Sequence, residues 1–139
     1  MPAARIRAAR APDLPAVLAL WRAAEAVPSA TDDLPALHAL LQADAGALLV
    51  AERERQMVGT VVAAWDGWRA SFYRLAVLEP WRRQGIGRLL VLAGRERLVG
   101  LGARRLTAFV DSDSQEALAF WAAAGFEPQR DRVRFVLNL

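Results

Sequence analysis

The sequence contains no cysteine, no lysine and a single histidine. Without cysteine there is no disulfide scaffold and no thiol nucleophile, and the redox compartment stays undetermined. One imidazole and no thiolate cannot build a nitrogen–sulfur zinc or iron site, so a two-histidine metalloprotease is excluded and no metal is assigned. No apolar run reaches the length that a bilayer demands. Pro12, Asp13 and Pro15 interrupt the apolar stretch after the N-terminal arginines, and no small-residue cleavage site follows. The expectation is a soluble, cytoplasmic protein without a membrane partner.

What is present is a folded composition: 139 residues, 55% hydrophobic and 24% charged. That length predicts one domain over residues 1–139, because two would each bury too little. All 18 basic residues are arginine, and against 15 acidic ones they leave a net charge of only +3. The isoelectric point near 10.8 therefore reflects arginine's high pKa and not a large charge. No basic run with interleaved aromatics occurs, so no nucleic-acid partner is expected.

Periodicity gives the order of elements. Ile6 to Ala9 reads as a strand. Leu14, Val17, Leu18 and Trp21 mark one face of a helix that Pro28 ends. Thr31-Asp32-Asp33 caps a second helix, with Leu34, Leu37, Leu40 and Leu41 on its buried side. Ala47 to Glu52 is an apolar strand, Arg53 to Gln56 a polar turn, and Met57 to Trp65 a longer strand. Asp66-Gly67 reads as a hairpin turn into a strand over Arg69 to Leu78. A third helix runs from Gly85 to about Leu101, and Arg105 to Val110 is a strand. Ala117, Phe120, Trp121 and Ala124 mark a fourth helix, ended by Gly125. Phe126 to Arg130 and Val133 to Leu139 read as two closing strands. This order predicts an α/β (α+β) domain with a mixed sheet.

Arg82-Arg83-Gln84-Gly85-Ile86-Gly87 falls between a strand and a helix. The first turn of a helix offers unpartnered N–H groups and the positive end of its dipole. Two glycines admit a phosphate close to the backbone, and Arg82, Arg83 and Arg88 add positive charge. A Walker loop needs a lysine and fails. A dinucleotide fingerprint fails at Leu90, where a third small residue is needed. Two readings stay open: an ordinary glycine-bearing strand–helix turn, or a loop that resembles the R/Q-x-x-G-x-G/A pattern of acetyl-coenzyme A-dependent acetyltransferases.

With this loop, the stretch from Tyr73 to Gly87 resembles the strand β4 and pyrophosphate loop of the GNAT superfamily of N-acetyltransferases. Ala117, Gly125 and Phe126 match the family's second signature, N-x-x-A-x-x-x-Y-x-x-x-G-F. The likeness covers nearly the whole chain and is greatest to small single-domain bacterial members. It implies a mostly antiparallel sheet of about seven strands flanked by four helices. It also implies an acetyl-coenzyme A cosubstrate, and direct transfer to a primary amine of a small molecule or peptide N-terminus. Backbone groups of Leu75, Ala76 and Val77 would pair with the pantetheine arm. N–H groups of Gln84, Gly85, Ile86, Gly87 and Arg88 would hold the pyrophosphate, and an N–H near Val77 would polarise the thioester carbonyl. A catalytically weak acyl-coenzyme A-binding module is the alternative.

Two positions depart from the family pattern. Ser114 stands where the family has asparagine, and Trp121 where it has a proton-donating tyrosine. Both are expected beside the cofactor, Trp121 by packing against pantetheine or, alternatively, the core, since indole is no acid at neutral pH. No general base is evident. Tyr73 alternates with Leu75 and Val77 and would share their face, where it would contact substrate or relay a proton; sheet packing is the competing role. Glu52 and Glu54 read as solvated and His38 as a surface residue. Asp111 and Asp113 either attract a cationic amine or cap the next helix. Trp65, Trp68, Phe72 and Tyr73 gather on the hairpin, as an acceptor pocket, a homodimer contact or buried core.

Overall fold

The structure is a computed structural model that describes residues 4–139. The chain divides into two compact units, one ending at Thr107 and one running from Ala108 to Leu139.

The first unit contains β1 (Arg5–Ala8), α1 (Leu14–Ala23), α2 (Leu34–Ala43), β2 (Leu48–Arg53), β3 (Gln56–Trp65), β4 (Ala70–Val77) and α3 (Ile86–Gly100). A short strand, β5 (Leu106–Ala108), follows at the division. The sheet runs β1-β2-β3-β4-β5, so spatial order equals chain order. The ladders joining β1 to β2, β2 to β3 and β3 to β4 are antiparallel.

Helix α1 buries Leu14, Val17, Leu20 and Trp21, one stripe at helical spacing. It ends at Ala23 and not at Pro28, because Glu25 adopts a left-handed φ of 59°. The Ala26 N–H then bonds Trp21 C=O and the Glu25 N–H bonds Arg22 C=O, which closes the helix end. Asp33 caps α2 by accepting the Ala36 N–H at 2.9 Å. Leu37 is buried and Leu40 and Leu41 are half-buried, but Leu34, expected inside, is exposed. From Leu37 to Leu41 the helix meets the core cluster, whereas Leu34 is its first residue and does not.

The sheet is covered on both faces. Leu14, Val17, Trp21 and Leu37 pack with Val50, Val62 and Ala76 in one cluster. The other face meets α3 so closely that a Cβ on Gly94 would lie 2.6 Å from Phe72 Cε1 and 3.2 Å from Ala63 Cβ. A buried polar relay crosses the first face: Trp21 Nε1–H donates to Thr60 Oγ1 at 2.8 Å, and Thr60 donates to Arg74 C=O at 3.0 Å. Both side chains are thereby satisfied in the interior.

The turns follow the sequence at the hairpin. Asp66 Oδ1 accepts the N–H groups of Trp68 (2.8 Å) and Arg69 (2.6 Å), and Gly67 takes φ 93°. The N–H bonds from Arg69 and Trp68 hold the Asp66 carboxyl below its ordinary pKa. At the preceding turn Glu54 and Arg55 take φ values of 52° and 63°. Arg53 does not belong to that turn, contrary to its polarity: it is the last residue of β2 and is buried.

The second unit holds α4 (Gln115–Ala123). Ser114 caps it by accepting the Ala117 N–H at 3.2 Å. Gly125, at φ 96°, ends it, with the Phe126 N–H bonding Trp121 C=O at 3.0 Å. Among the described residues the four expected α-helices are present, but the sheet has five strands and not about seven. A turn does form between the two expected closing strands, with Arg132 N–H reaching Gln129 C=O at 3.4 Å. Its arms form no ladder, and Phe135 is 92% exposed. Alternating hydrophobicity favours an extended backbone, whereas a strand also requires a paired neighbour.

Among the described residues no helix is long and apolar enough to cross a membrane.

Candidate active site

The end of β4 and the start of α3 are joined by one turn of 3-10 helix, Glu79–Trp81, and a short loop. Pro80 favours this break, because it fixes φ and removes an N–H from the ladder. In the loop Arg82 is extended, Arg83 is left-handed at φ 62°, and Gly85 is left-handed at φ 82° and caps α3. The Leu89 N–H bonds Gly85 C=O at 3.0 Å. The N–H groups of Ile86, Gly87 and Arg88 therefore precede the first helical acceptor. No acidic residue lies in this first turn. A Cβ on Gly85 would meet nothing within 4 Å, so the backbone there borders open space. A 15-residue helix points its positive end at that space, an arrangement that attracts an anion.

The arginines of the motif divide in their work. Arg82 Nε donates to Val77 C=O at 2.8 Å and its Nη2 to Ala24 C=O at 3.3 Å. It ties the loop to the last residue of β4 and to the end of α1, a structural tether in addition to a charge. Arg83 and Arg88 are exposed beside the helix start.

Beneath the loop lies a residue that the sequence reading passed over. Arg53 is only 8% exposed. Its Nη1 donates to Gln84 Oε1 at 2.6 Å, and its guanidinium lies 5.3 Å from the Trp81 ring centroid. Gln84 Nε2 donates in turn to Pro80 C=O at 3.3 Å. Arg53 is 28 residues or more before these partners in the chain, so only the tertiary fold brings them together.

Strand β4 carries a bulge. Tyr73 is opposite Val62 and Ala76 is opposite Thr60, so two residues, Arg74 and Leu75, face the single Val61. Arg74 takes φ 53° in this bulge. The extra residue reverses the alternation. Tyr73 shares its face with Ala76, whereas Val77, opposite Gly59, lies on the face of Phe72 and α3. The expectation that Tyr73 and Val77 share a face is thus corrected. A shared face requires unbroken two-residue periodicity, and an inserted residue breaks it.

The hairpin aromatics do not form one cluster. Phe72 is buried, Trp65 is half-buried, Trp68 is 74% exposed beneath Arg69 at 4.3 Å, and Tyr73 is 39% exposed. Glu52 is not simply solvated: with Asp13 it holds Arg7 in an ion-pair triad. Those hydrogen bonds raise the Arg7 pKa, and Arg7 holds the Asp13 carboxyl down at about 2. His38 is exposed on α2.

In the second unit, Ser114 is the helix cap and Asp111 supports it, accepting the Asp113 N–H at 2.9 Å. Trp121 is buried and meets Phe126 edge-on at 4.9 Å and Phe120 at 5.4 Å.

Comparison with known proteins bears on the fold and the family. A family model described as the acetyltransferase (GNAT) family matches residues 14–126. Among solved structures, the chain is similar to Ard1 from Thermoplasma volcanium, with 21% identity, a TM-score of 0.80, and 91% of this chain and 84% of that one covered. It is similar to the ribosomal-protein-alanine N-acetyltransferase from Brucella melitensis, with 29% identity, a TM-score of 0.73 and coverage of 88% and 84%. It is also similar to the PaiA N-acetyltransferase from Thermoplasma acidophilum in complex with coenzyme A, with 15% identity, a TM-score of 0.79 and coverage of 92% of each chain. The family match includes the glycine loop, the start of α3 and the whole of α4, and the chain belongs to the GNAT acetyltransferase family.

Proposed function

We propose that the chain is an N-acetyltransferase that moves an acetyl group from acetyl-coenzyme A directly to a primary amine of a small molecule or a peptide N-terminus. The observation that carries this reading is the start of α3, with its three leading N–H groups, left-handed Gly85 and absence of acidic side chains. A diphosphate fits that environment, because its charge meets the helix dipole and its oxygens meet the free donors. The family match crosses the division at Thr107, which supports one acetyltransferase domain made of both units.

When bound, acetyl-coenzyme A would supply an acetyl thioester. Residues Gln84 to Arg88 would hold its diphosphate through backbone N–H groups. Leu75, Ala76 and Val77 would offer backbone groups to the pantetheine arm beyond the bulge, as a sheet edge accepts an extra strand. An N–H near Val77 would stabilise negative charge on the carbonyl oxygen. Arg82 would fix the carbonyl of Val77 in place during this pairing. Ser114 and Trp121 would contribute from α4, Trp121 through apolar volume. Tyr73, partly exposed on the α1 face, would position a water, with the amine losing its proton before attack.

Calorimetric titration with coenzyme A, followed by thiol release from acetyl-coenzyme A against a panel of amines, tests the reading. Binding together with amine-dependent thiol release supports it. The rate should rise with pH toward the acceptor's own pKa, and Tyr73→Phe should cost on the order of ten-fold or less. Binding without release for any amine would favour the acyl-coenzyme A-binding module, the reading that Trp121 at the family's tyrosine position suggests. Absence of binding would overturn both.

A further inference from the structure

Arg53 is a buried cation with no anionic partner among the described residues. Among the described residues the ion-paired arginines are Arg7, Arg74, Arg97 and Arg132; Arg53 has instead the neutral amide of Gln84 and the face of Trp81. Its Nε is buried and has no hydrogen-bond partner among the described residues. An isolated charge is expensive to remove from water, and an amide oxygen with an aromatic face offsets only part of that cost. Arginine tolerates the position better than lysine would, since its planar group stacks on the ring while one edge donates. Even so, among the described residues no carboxylate forms an ion pair with this buried charge under the loop that leads into α3.

That charge has two routes to the anion site. Through space, it adds to the positive end of α3, and burial shields it from salt. Through contact, it clamps the Gln84 side chain, which is also tied to Pro80 C=O. Gln84 is adjacent to Gly85, the left-handed cap on which the direction of the first-turn N–H groups depends.

We infer that Arg53 is a positioning residue of the diphosphate site: it orders the Gln84–Gly85 turn and supplies, from inside the protein, a positive charge that the bound diphosphate neutralises. This rests on the coenzyme A reading above. Arg53 itself need not touch the ligand.

The test separates charge from packing by measuring affinity and stability together. Coenzyme A binding is followed by calorimetry, and thermal unfolding is recorded without ligand, for the wild type, Arg53→Met, Arg53→Lys and Gln84→Glu. Arg53→Met keeps much of the volume and removes the charge. Its coenzyme A affinity should fall on the order of ten-fold, while its melting temperature holds or rises, because replacing a buried charge with an apolar group is often stabilising. Arg53→Lys should recover part of the affinity. Gln84→Glu gives Arg53 the carboxylate it lacks, so it should raise the melting temperature and also weaken coenzyme A. Wild-type affinity in Arg53→Met, or a loss of affinity that only accompanies a loss of stability, would overturn the inference. Where Arg53→Met does not fold, Gln84→Glu decides: unchanged affinity in a folded Gln84→Glu protein overturns it equally. A wild type that does not bind coenzyme A would refute the underlying reading instead.

Discussion

Arg74 Nη2 bridges both carboxylate oxygens of Asp32, at 2.8 Å and 2.6 Å. The contact joins the bulge of β4 to the segment between α1 and α2. Arg74 Nη1 also donates to Val27 C=O at 2.7 Å, and the guanidinium lies 5.2 Å from the Trp21 ring centroid. One side chain thus holds the interhelical segment against the strand that would receive pantetheine. Both partners are largely shielded from solvent, so this pair carries more weight than an exposed one.

Asp32→Asn should therefore lower stability by about 1–2 kcal/mol, read as a shift in the urea midpoint. Arg74→Ala should cost more, since it also releases Val27 C=O and the Trp21 face. Arg74→Gly should be the milder of the two truncations by up to about 1 kcal/mol, because φ 53° suits glycine. Equal stability of the alanine and glycine variants would show that the bulge relaxes when its side chain is lost.

Two glycines of the chain predict opposite phenotypes. At Gly85 an added side chain meets open space but a left-handed backbone. Gly85→Val should cost about 1–2 kcal/mol of stability and abolish coenzyme A binding by occupying the place of the phosphate. At Gly94 the backbone is helical, and the obstacle is Phe72. Gly94→Ala should cost about 1–3 kcal/mol through overpacking, while affinity for coenzyme A in the folded protein stays within a few-fold. Calorimetry and thermal unfolding on both variants check the contrast.

Acid should weaken the Arg7 triad in a defined window. The Asp13 carboxyl falls from 3.8 to about 2 on folding, chiefly because Arg7 donates to it. A depressed folded-state pKa means that the folded protein binds fewer protons there than the unfolded chain. Its contribution is then complete above about pH 4 and disappears as pH falls toward 2. With solvent screening of the pair, that contribution is about 1 kcal/mol. The stability difference between wild type and Asp13→Asn should shrink through this interval in urea titrations.

Trp121 should prove to be a matter of volume. Trp121→Phe is expected to keep most of the acetyl transfer, and Trp121→Tyr to keep or raise it. Trp121→Ala should cost about 3–5 kcal/mol, because the indole fills the contact with Phe120 and Phe126. Loss of turnover in a folded Trp121→Phe protein would assign the indole a chemical role.

Local signals in the sequence located most of the elements. Asp66-Gly67 and Pro80 specify turns through their own backbone preferences, and Asp33 and Ser114 cap helices through side chains that reach three residues ahead. The glycine loop is legible for the same reason: its conformation and its unpartnered N–H groups arise within one turn. The bulge at Arg74 is not legible. Ala70, Phe72 and Ala76 are all buried at even-numbered positions, so the pattern looks continuous while the strand changes faces. A sheet covered on both sides hides such an event, since either face is apolar. Arg53 was missed because polarity at the end of a strand suggests a turn. The residues that bury it, Trp81 and Gln84, lie beyond a complete hairpin.

The identity of chain order and spatial order in the sheet has a kinetic meaning. The pairings of β2 with β3 and of β3 with β4 each close a loop of a few residues, whereas β1 meets β2 only after two helices have been spanned. Short closures lose less chain entropy and form sooner. The central three strands should therefore act as the folding nucleus, with β1 added after the rate-limiting step. Substitutions in the Asp66-Gly67 turn should slow refolding, and those that loosen Arg7 from β2 should mainly hasten unfolding. Stopped-flow measurements on the two sets would locate the order of assembly.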